Sequence, residues 1–455
     1  MKSIIRFLLI ALTLIGHAAP VRAQEVSIPD PGLNAAVREA LNKPAGPLTE
    51  RDMLGLTFLN ATGRSITNAQ GLEAARNLNL LDLDSNSLTN FVVPSSLTNL
   101  NSLDLFNNHL TSFVLPNGLA KLNFLDLGFN ALVHCSIPGG LTNLDTLFLE
   151  GNQLTNFTMP AGLTELTEFD LSGNGLTSFA IPADMTNLIT ALIFANQLTN
   201  LIVPPNLHRL GGLDLDFNHL RNLNLPAGLN NLGTLVARDN QLTNLTIRAD
   251  TTNLTFLDLG GNQLPSLTLP AGLSRLNFLR LSENKLTSFT LPPGLTNLVS
   301  LFLRSNQLIS LTLSPDLVNL VQLDVLGNQL TSLTLPPDAT RLSTLVLDGN
   351  PLTTLVLSEP SAATNLAATV ATLRNQAVNV FTYPLTVQII APQTLGGEFQ
   401  FAITGPPGIY TVLGSTDFAN WSEVGAATNT LGTIRFADPT AQLSPQKFFR
   451  ALRSP

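Results

Sequence analysis

The chain repeats one arrangement of apolar and polar positions every twenty-two residues. Position 1 is taken as the Leu ahead of each short apolar run. The unit that begins at Leu122 then has apolar residues at Leu125, Leu127, Leu132, Cys135, Ile137 and Leu141, with Asn130 at position 9. The Asn column runs without a break through Asn86, Asn108, Asn130, Asn152, Asn174, Asn196, Asn218, Asn240, Asn262, Asn284, Asn306, Asn328 and Asn350, which makes thirteen units. Positions 4 to 6, "LDL" in many copies, alternate apolar, polar, apolar. That pattern predicts a short half-buried strand whose position 5 faces away from positions 4 and 6. The chain must then turn sharply. An Asn at position 9 carries a carbonyl and an NH2 that can satisfy backbone groups buried in the turn and in the next coil.

Pro stands at position 17 in ten of the thirteen units, from Pro94 to Pro336. Lacking an N–H, it denies the back of each coil a helix interior, so the return path is predicted to be extended or a single short turn. One unit cannot offset the entropy of ordering its own residues, but stacked units bury each other's apolar faces. The Phe residues at position 14 (Phe91, Phe113, Phe157, Phe179, Phe289) are expected to form a buried spine.

The pattern "LxxLxLxxNxLTSLxLPxGLTNL" resembles the leucine-rich repeat family, close to the bacterial 22-residue class exemplified by internalins, over residues 56 to 363. The resemblance implies an α/β-type solenoid, curved, with a parallel β-sheet on its concave face and a mostly extended or short-turn convex side. It also implies use of the concave face to bind proteins. Residues 56 to 77 read as a worn first unit, in which Arg64 replaces the ladder Asn and Ile66 keeps the apolar column.

The ends of a solenoid must be covered. Residues 24 to 55 are predicted to form a helical N-terminal cap. Asp30 is placed as N-cap before Pro31, Leu33, Val37 and Leu41 make an apolar face, and Thr49 with Asp52 form a capping box. At the other end, residues 364 to 383 read as a cap within the Ala-rich stretch "SAATNLAATVATLRNQAVNVF", expected to be helical. Residues 384 to 455 hold short strand-like runs between Gly, Pro and Asn turns, which predicts a small β-sandwich-like module. Its Ser415, Thr416, Asp417 and Trp421, followed by Phe448, Phe449 and Arg450, resemble C-terminal modules of secreted bacterial proteins. Core packing is the expected role of Trp421 and Tyr410.

The first 23 residues have a basic start at Lys2 and Arg6, the apolar run "FLLIALTLIG" and a small-residue site at "VRA", a pattern expected of a cleaved export signal. The protein is therefore expected to be secreted or attached to the cell surface, with the periplasm as the alternative. No later run is long and apolar enough to suggest an integral membrane protein. Charged residues are only 12% of the chain; the formal charge is -8, near -11 without Lys2, Arg6 and Arg22, which argues against a nucleic-acid partner. One cysteine cannot form an intrachain disulfide or a zinc set, and no two His occupy columns that would share a metal. Neither a metal, a cofactor nor an enzymatic activity is expected. The Asp column at position 5 is read as exposed carboxylates that keep a sheet soluble.

Ligand contact is expected at positions 3, 5 and 7, with position 8 at the rim. In the early units these positions carry Asp82, Asp84, Asp104, Asp126, Glu150, Glu168, Asp170, Asp214 and Asp216 and no Lys or Arg through Asp216. Phe106, Phe124, Phe148 and Phe194 are interleaved with them, and Phe129 and Phe217 stand at the rim. Later units change character: Phe256 and Phe278 should stack beside Arg280, Phe302 and Arg304. Two readings follow. In the first, an exported scaffold binds a protein ligand, preferably one with a basic surface, through this face. In the second, a structural or adhesive envelope protein uses the solenoid as a spacer and the C-terminal module for attachment, the Phe residues merely covering one another across strands.

Overall fold

The computed structural model describes residues 24–395, 398–438 and 446–454; the leader expected over residues 1–23 lies outside these. The chain divides into two compact units, one ending at Phe148 and the other starting at Leu149.

In the first unit, five parallel strands are described: Phe58–Asn60, Leu80–Asp82, Ser102–Asp104, Phe124–Asp126 and Thr146–Phe148. Each pairs with the next at a register of twenty-two residues, so that Leu59, Leu81, Leu103, Leu125 and Leu147 form one column. All five are fully buried. In the second unit, nine strands described from Glu168–Asp170 to Thr344–Val346 repeat the arrangement in the same register.

What turns the chain after each strand is a left-handed residue at position 8. In all thirteen units this residue has positive φ, whether it is Gly (Gly151, Gly173, Gly261, Gly327, Gly349) or not. Ser, Asn and Asp tolerate that conformation; Phe129 (φ 50°) and Phe217 (φ 53°) hold it at a steric cost.

The Asn that follows makes the ladder. Asn108 accepts the Leu88 N–H and donates to the carbonyls of Leu83, Leu105 and Phe106. Asn218 does the same with Leu198, Ile193, Leu215 and Asp216. The expectation that Asn serves the next coil is corrected here: it reaches back to the preceding one. In-register stacking sets position 9 beside the position 6 carbonyl and position 11 N–H of the coil before it. The coil before Asn86 has Arg64 at the ladder position, and the N-terminal cap, not another coil, lies before it. Arg64 there pairs instead with Glu39 of the N-terminal helix at 2.7 Å.

The back of the coils is extended, and in places it forms short parallel strands of its own, such as Ser112–Val114 with His134–Ser136 and Ser288–Thr290 with Ser310–Thr312. Phe91, Phe113, Phe157, Phe179 and Phe289 are buried beneath them. Cys135 takes the same column, and burial pushes its thiol up to about 12, leaving it protonated at neutral pH.

At the N-terminal end, helix Pro31–Ala40 is capped by Asp30, whose other oxygen accepts the Thr67 and Asn68 N–H groups and so ties the helix to the first coil. Thr49 and Asp52 form a capping box. At the far end, the stretch expected to be one helix is two, Glu359–Ala363 and Ala367–Asn375, followed by a strand, Asn379–Tyr383. The β-branched and aromatic run Val380, Phe381, Thr382 and Tyr383 favours the strand, which pairs in parallel with Thr354–Ser358 and buries Tyr383, whose hydroxyl donates to the Leu335 carbonyl. Two three-stranded antiparallel sheets then enclose Phe401, Ile403, Tyr410, Val412 and Phe436.

Replacing Asn218 with Ala leaves the Leu198 N–H and three carbonyls without their partner. It is expected to lower stability by about 2–4 kcal/mol, read as a lower urea midpoint of residues 24–455. Gln329→Ala, at an exposed site of the adjacent column, should change it by less than about 0.5 kcal/mol. Equal effects at the two positions would remove the ladder from the account of stability.

Candidate protein-binding surface

In each unit, the side of these strands that turns away from the core carries positions 3, 5 and 7. In the first unit, Asp82, Asp84 and Asp104 are half-buried and close together. Asp82 Oδ1 accepts the Asp84 N–H and the Thr62 hydroxyl, and Asp104 Oδ1 accepts the Phe106 N–H. Burial raises the Asp104 carboxyl above the usual range, and the charges of Asp82 and Asp84 raise it further. Among the described residues, no Lys or Arg forms an ion pair with any of the three.

The same bond recurs along the position 5 column and corrects the expectation of free, solubilising carboxylates. Asp126, Asp170, Asp214, Asp258 and Asp324 each accept the backbone N–H two residues on. Asp126 and Asp258 are buried. A carboxylate here closes the strand end as a short side-chain turn, which limits what it can offer a ligand.

The Phe residues expected to be exposed also differ. Phe106, Phe124, Phe148 and Phe194 are half-buried. Phe124 meets Phe148 edge to face with centroids 5.9 Å apart, and Phe106 meets Phe129 at 5.2 Å. Neighbouring strands are close enough for rings to cover one another. The exposed rings of this set are Phe129 and Phe217, on the left-handed turn residues. In the second unit, Phe256 and Phe278 stack at 4.3 Å with planes 4° apart, and Phe302 lies 5.3 Å from Phe278. The Arg280 guanidinium sits over Phe278 and Phe302 and pairs with Asp258 at 3.3 Å. Arg304 is exposed, and Glu150 and Glu168 are half-buried.

A family model described as the BspA type leucine rich repeat region matches in six copies, over residues 83–198, 146–258 and 238–353, more than half of the chain. The chain belongs to the BspA-type leucine-rich repeat family. Solved structures of similar fold include the internalin InlF of Listeria monocytogenes, at 23% identity over 67% of this chain and 91% of that one, with a TM-score of 0.55. The functional domain of InlJ from Listeria monocytogenes matches at 20% identity over 84% and 97%, TM-score 0.54. YopM from Yersinia pestis matches at 25% over 70% and 88%, TM-score 0.51. No curated protein matches. InlJ includes a cysteine ladder, whereas this BspA-type chain has a single cysteine and an asparagine ladder. The leucine-rich repeat solenoid is typical of protein-interaction scaffolds, and no helix among the described residues is long and apolar enough to cross a membrane. No group of three or more His, Cys, Asp or Glu side chains among them is arranged to hold a metal ion.

Two features of this BspA-type chain escaped the sequence reading. Arg238, at position 7, lies over the exposed Phe217 ring at 5.5 Å and pairs with Asp239 at 3.0 Å; reading column 7 through every unit would have found it. In the terminal module, Tyr410 is in the core as expected, but Trp421 is not. It lies half-buried under the Arg450 guanidinium at 4.0 Å, beside Phe418, which is exposed, has φ 63° and stacks on Phe448. Asp417 creates this turn by accepting the Ala419 and Asn420 N–H groups, leaving Trp421 outside the sheets.

Burial, with the nearby charges of Asp214 and Asp258, raises Asp216 to about 6, against the Arg238 N–H that it accepts at 2.5 Å. A carboxyl whose folded pKa exceeds its unfolded value stabilises the fold when protonated, and loses that contribution as pH rises from about 4 through about 6. Asp216→Asn keeps the acceptor and removes the charge. The variant is expected to match the parent at pH 4 and to exceed it by about 1 kcal/mol at pH 7.5, after discounting for solvent screening, in thermal unfolding at the two values. A difference that does not change with pH would contradict this.

Proposed function

We propose that this chain is exported and that its sheet face binds a protein ligand, the first unit favouring a partner with a basic surface. In this reading, residues 56–363 carry the surface, with Asp82, Asp84, Asp104, Phe106, Phe124, Asp126, Phe148, Glu150, Asp170, Phe194 and Asp214 as its acidic and aromatic part. Phe256, Phe278, Arg280, Phe302 and Arg304 form its mixed part. Residues 24–55 and 364–383 close the ends.

The observation that carries the reading is the group formed by Asp82, Asp84 and Asp104. Three half-buried carboxylates are held close by the backbone, repel one another, and have no cationic partner among the described residues. Like charge kept together at an uncompensated cost is relieved by an incoming Lys or Arg. The constant columns of Leu and Asn support it too, since they leave the outward positions free to differ from coil to coil.

A second reading rests on the terminal module. The exposed Phe418, with Trp421 and Phe448 beside it, suits attachment of a spacer through residues 384–455.

The test is capture from extracts of neighbouring cells and host matrix by the mature chain (residues 24–455). Its variants are the triple Asp82→Asn, Asp84→Asn and Asp104→Asn, and the double Phe418→Ser, Trp421→Ser. Asn preserves the acceptors of the turn, so folding should survive. The proposal expects a protein that is held by the parent, released several-fold between about 50 and 500 mM salt, and lost from the triple variant only. Loss from the double variant alone would move the activity to the terminal module and leave the solenoid as a spacer.

A further inference from the structure

The chain contains two Asn-Gly pairs, Asn117-Gly118 and Asn174-Gly175. In such a pair the backbone nitrogen of the glycine can attack the side-chain amide carbon of the asparagine, because a residue without Cβ does not obstruct the approach. The reaction needs a free amide, a free N–H and room to close a ring. The two pairs differ in all three.

Asn174 is a rung of the ladder. Its Oδ1 accepts the Leu154 N–H at 3.0 Å, and its Nδ2 donates to the carbonyls of Leu149, Leu171 and Ser172. The Gly175 N–H is donated to the Leu154 carbonyl at 2.8 Å, and a Cβ on Gly175 would meet that same oxygen at 3.4 Å. Nucleophile and leaving group are both held.

Asn117 and Gly118 follow Pro116 at positions 18 and 19, in an exposed turn on the return path of the first unit. Among the described residues, the Asn117 side chain makes no hydrogen bond and the Gly118 N–H has no acceptor. In other coils the N–H of column 19 is taken: Gly162, Gly228 and Gly294 donate it to Asp184, Asp250 and Asp316 of the following coil. The coil after Gly118 has Gly140 at this position, which offers no side chain. Gly118 is left-handed, with φ 95°, and a Cβ built on it would meet nothing within 4 Å, so the turn has space around it.

We infer that Asn117 is a site of spontaneous deamidation, and that the ladder protects Asn174 from the same reaction. The Gly118 nitrogen gives its proton to a solvent base and bonds to Asn117 Cγ; the Cγ–Nδ2 bond breaks, and ammonia leaves with a proton returned by the solvent. The product is a succinimide. Water then adds to one of its carbonyl carbons. Opening of the Cγ–N bond leaves an aspartate in the ordinary chain, whereas opening at the backbone carbonyl carbon leaves an isoaspartate, whose main chain is longer by a methylene. Either product adds a negative charge, and no oxidant or reductant takes part. At Asn174 the same attack would first have to free the Gly175 N–H and the amide from their partners, which requires the coil to open. The inference is independent of what the sheet face binds.

The experiment stores residues 24–455 at mildly alkaline pH, native and in urea, and follows both pairs by peptide mapping with mass spectrometry. Isoaspartate is located by enzymatic methylation with a protein isoaspartate methyltransferase. In the native chain, conversion should be found at Asn117 and should run at least about a hundredfold slower at Asn174. In urea the two rates should converge, since both pairs are then free. Gly140→Asp, a residue that column 19 carries at Asp184, Asp250 and Asp316, gives the Gly118 N–H an acceptor. With its fold checked by the urea midpoint, that variant should convert several-fold more slowly at Asn117 in the native state and at the parent rate in urea. An Asn117 that stays intact in the native chain, native conversion of Asn174 at a comparable rate, or a folded Gly140→Asp variant that converts as fast as the parent would each overturn the assignment.

Discussion

Each of the thirteen coils from Asn86 to Asn350 carries one amide side chain that closes its turn. A sharp turn after the strand leaves backbone N–H and carbonyl groups facing inward, and a buried group without a partner is costly. Asn is short enough to stay in the turn and carries both a donor and an acceptor. In Asn108, Asn218 and their counterparts, the NH2 holds the turn of its own coil while the carbonyl holds the N–H of the coil before. The Leu columns supply the burial, but they would pack in more than one register. The amide sets the register at twenty-two residues, and the register makes every surface column continuous.

The frame was legible in the sequence because it repeats. The positions of the Leu, Asn and Pro columns and the capping of helix Pro31–Ala40 by Asp30 follow from local chemistry that recurs or has a distinct signature, while the strands lie at positions 3 to 5, one place ahead of the predicted 4 to 6. The surface was less legible. Outward-facing is not the same as free: Asp126 and Asp258 point away from the core and are still buried, because each carboxylate folds back on its own backbone. Phe124 and Phe148 sit in different columns of adjacent coils, so that their contact depends on ring orientation, which alternation alone does not report. Trp421 was misplaced for a related reason. A hydrophobic count assigns it to a core, whereas the Asx turn at Asp417 decides where it emerges.

The two units present different chemistry on the same frame. In the first, acidic groups gather without cations of their own; in the second, Arg238 and Arg280 have each taken a nearby carboxylate and an aromatic ring. Guanidinium groups stacked on rings keep most of their charge available at the edge. The outward columns of the two units thus differ in the sign of the charge they carry. Phe129 and Phe217, held in a conformation that bulky residues avoid, are the places where the frame yields most to the surface.

The direction of the asparagine bonds gives the stack a sense of growth. Each Asn completes the coil before it, so in the coils where both partners are described, a coil keeps one N–H and one carbonyl open until the next coil docks and supplies the amide that closes them. Assembly can then advance by one coil at a time from the N-terminal helix, with the strand Asn379–Tyr383 and the two short helices before it arriving last to end the series. The same polarity makes the ends unequal. The first coil is anchored by Asp30 and Glu39 of the N-terminal cap, while the last, whose Asn350 serves the coil before it, has no later Asn of the column to serve it.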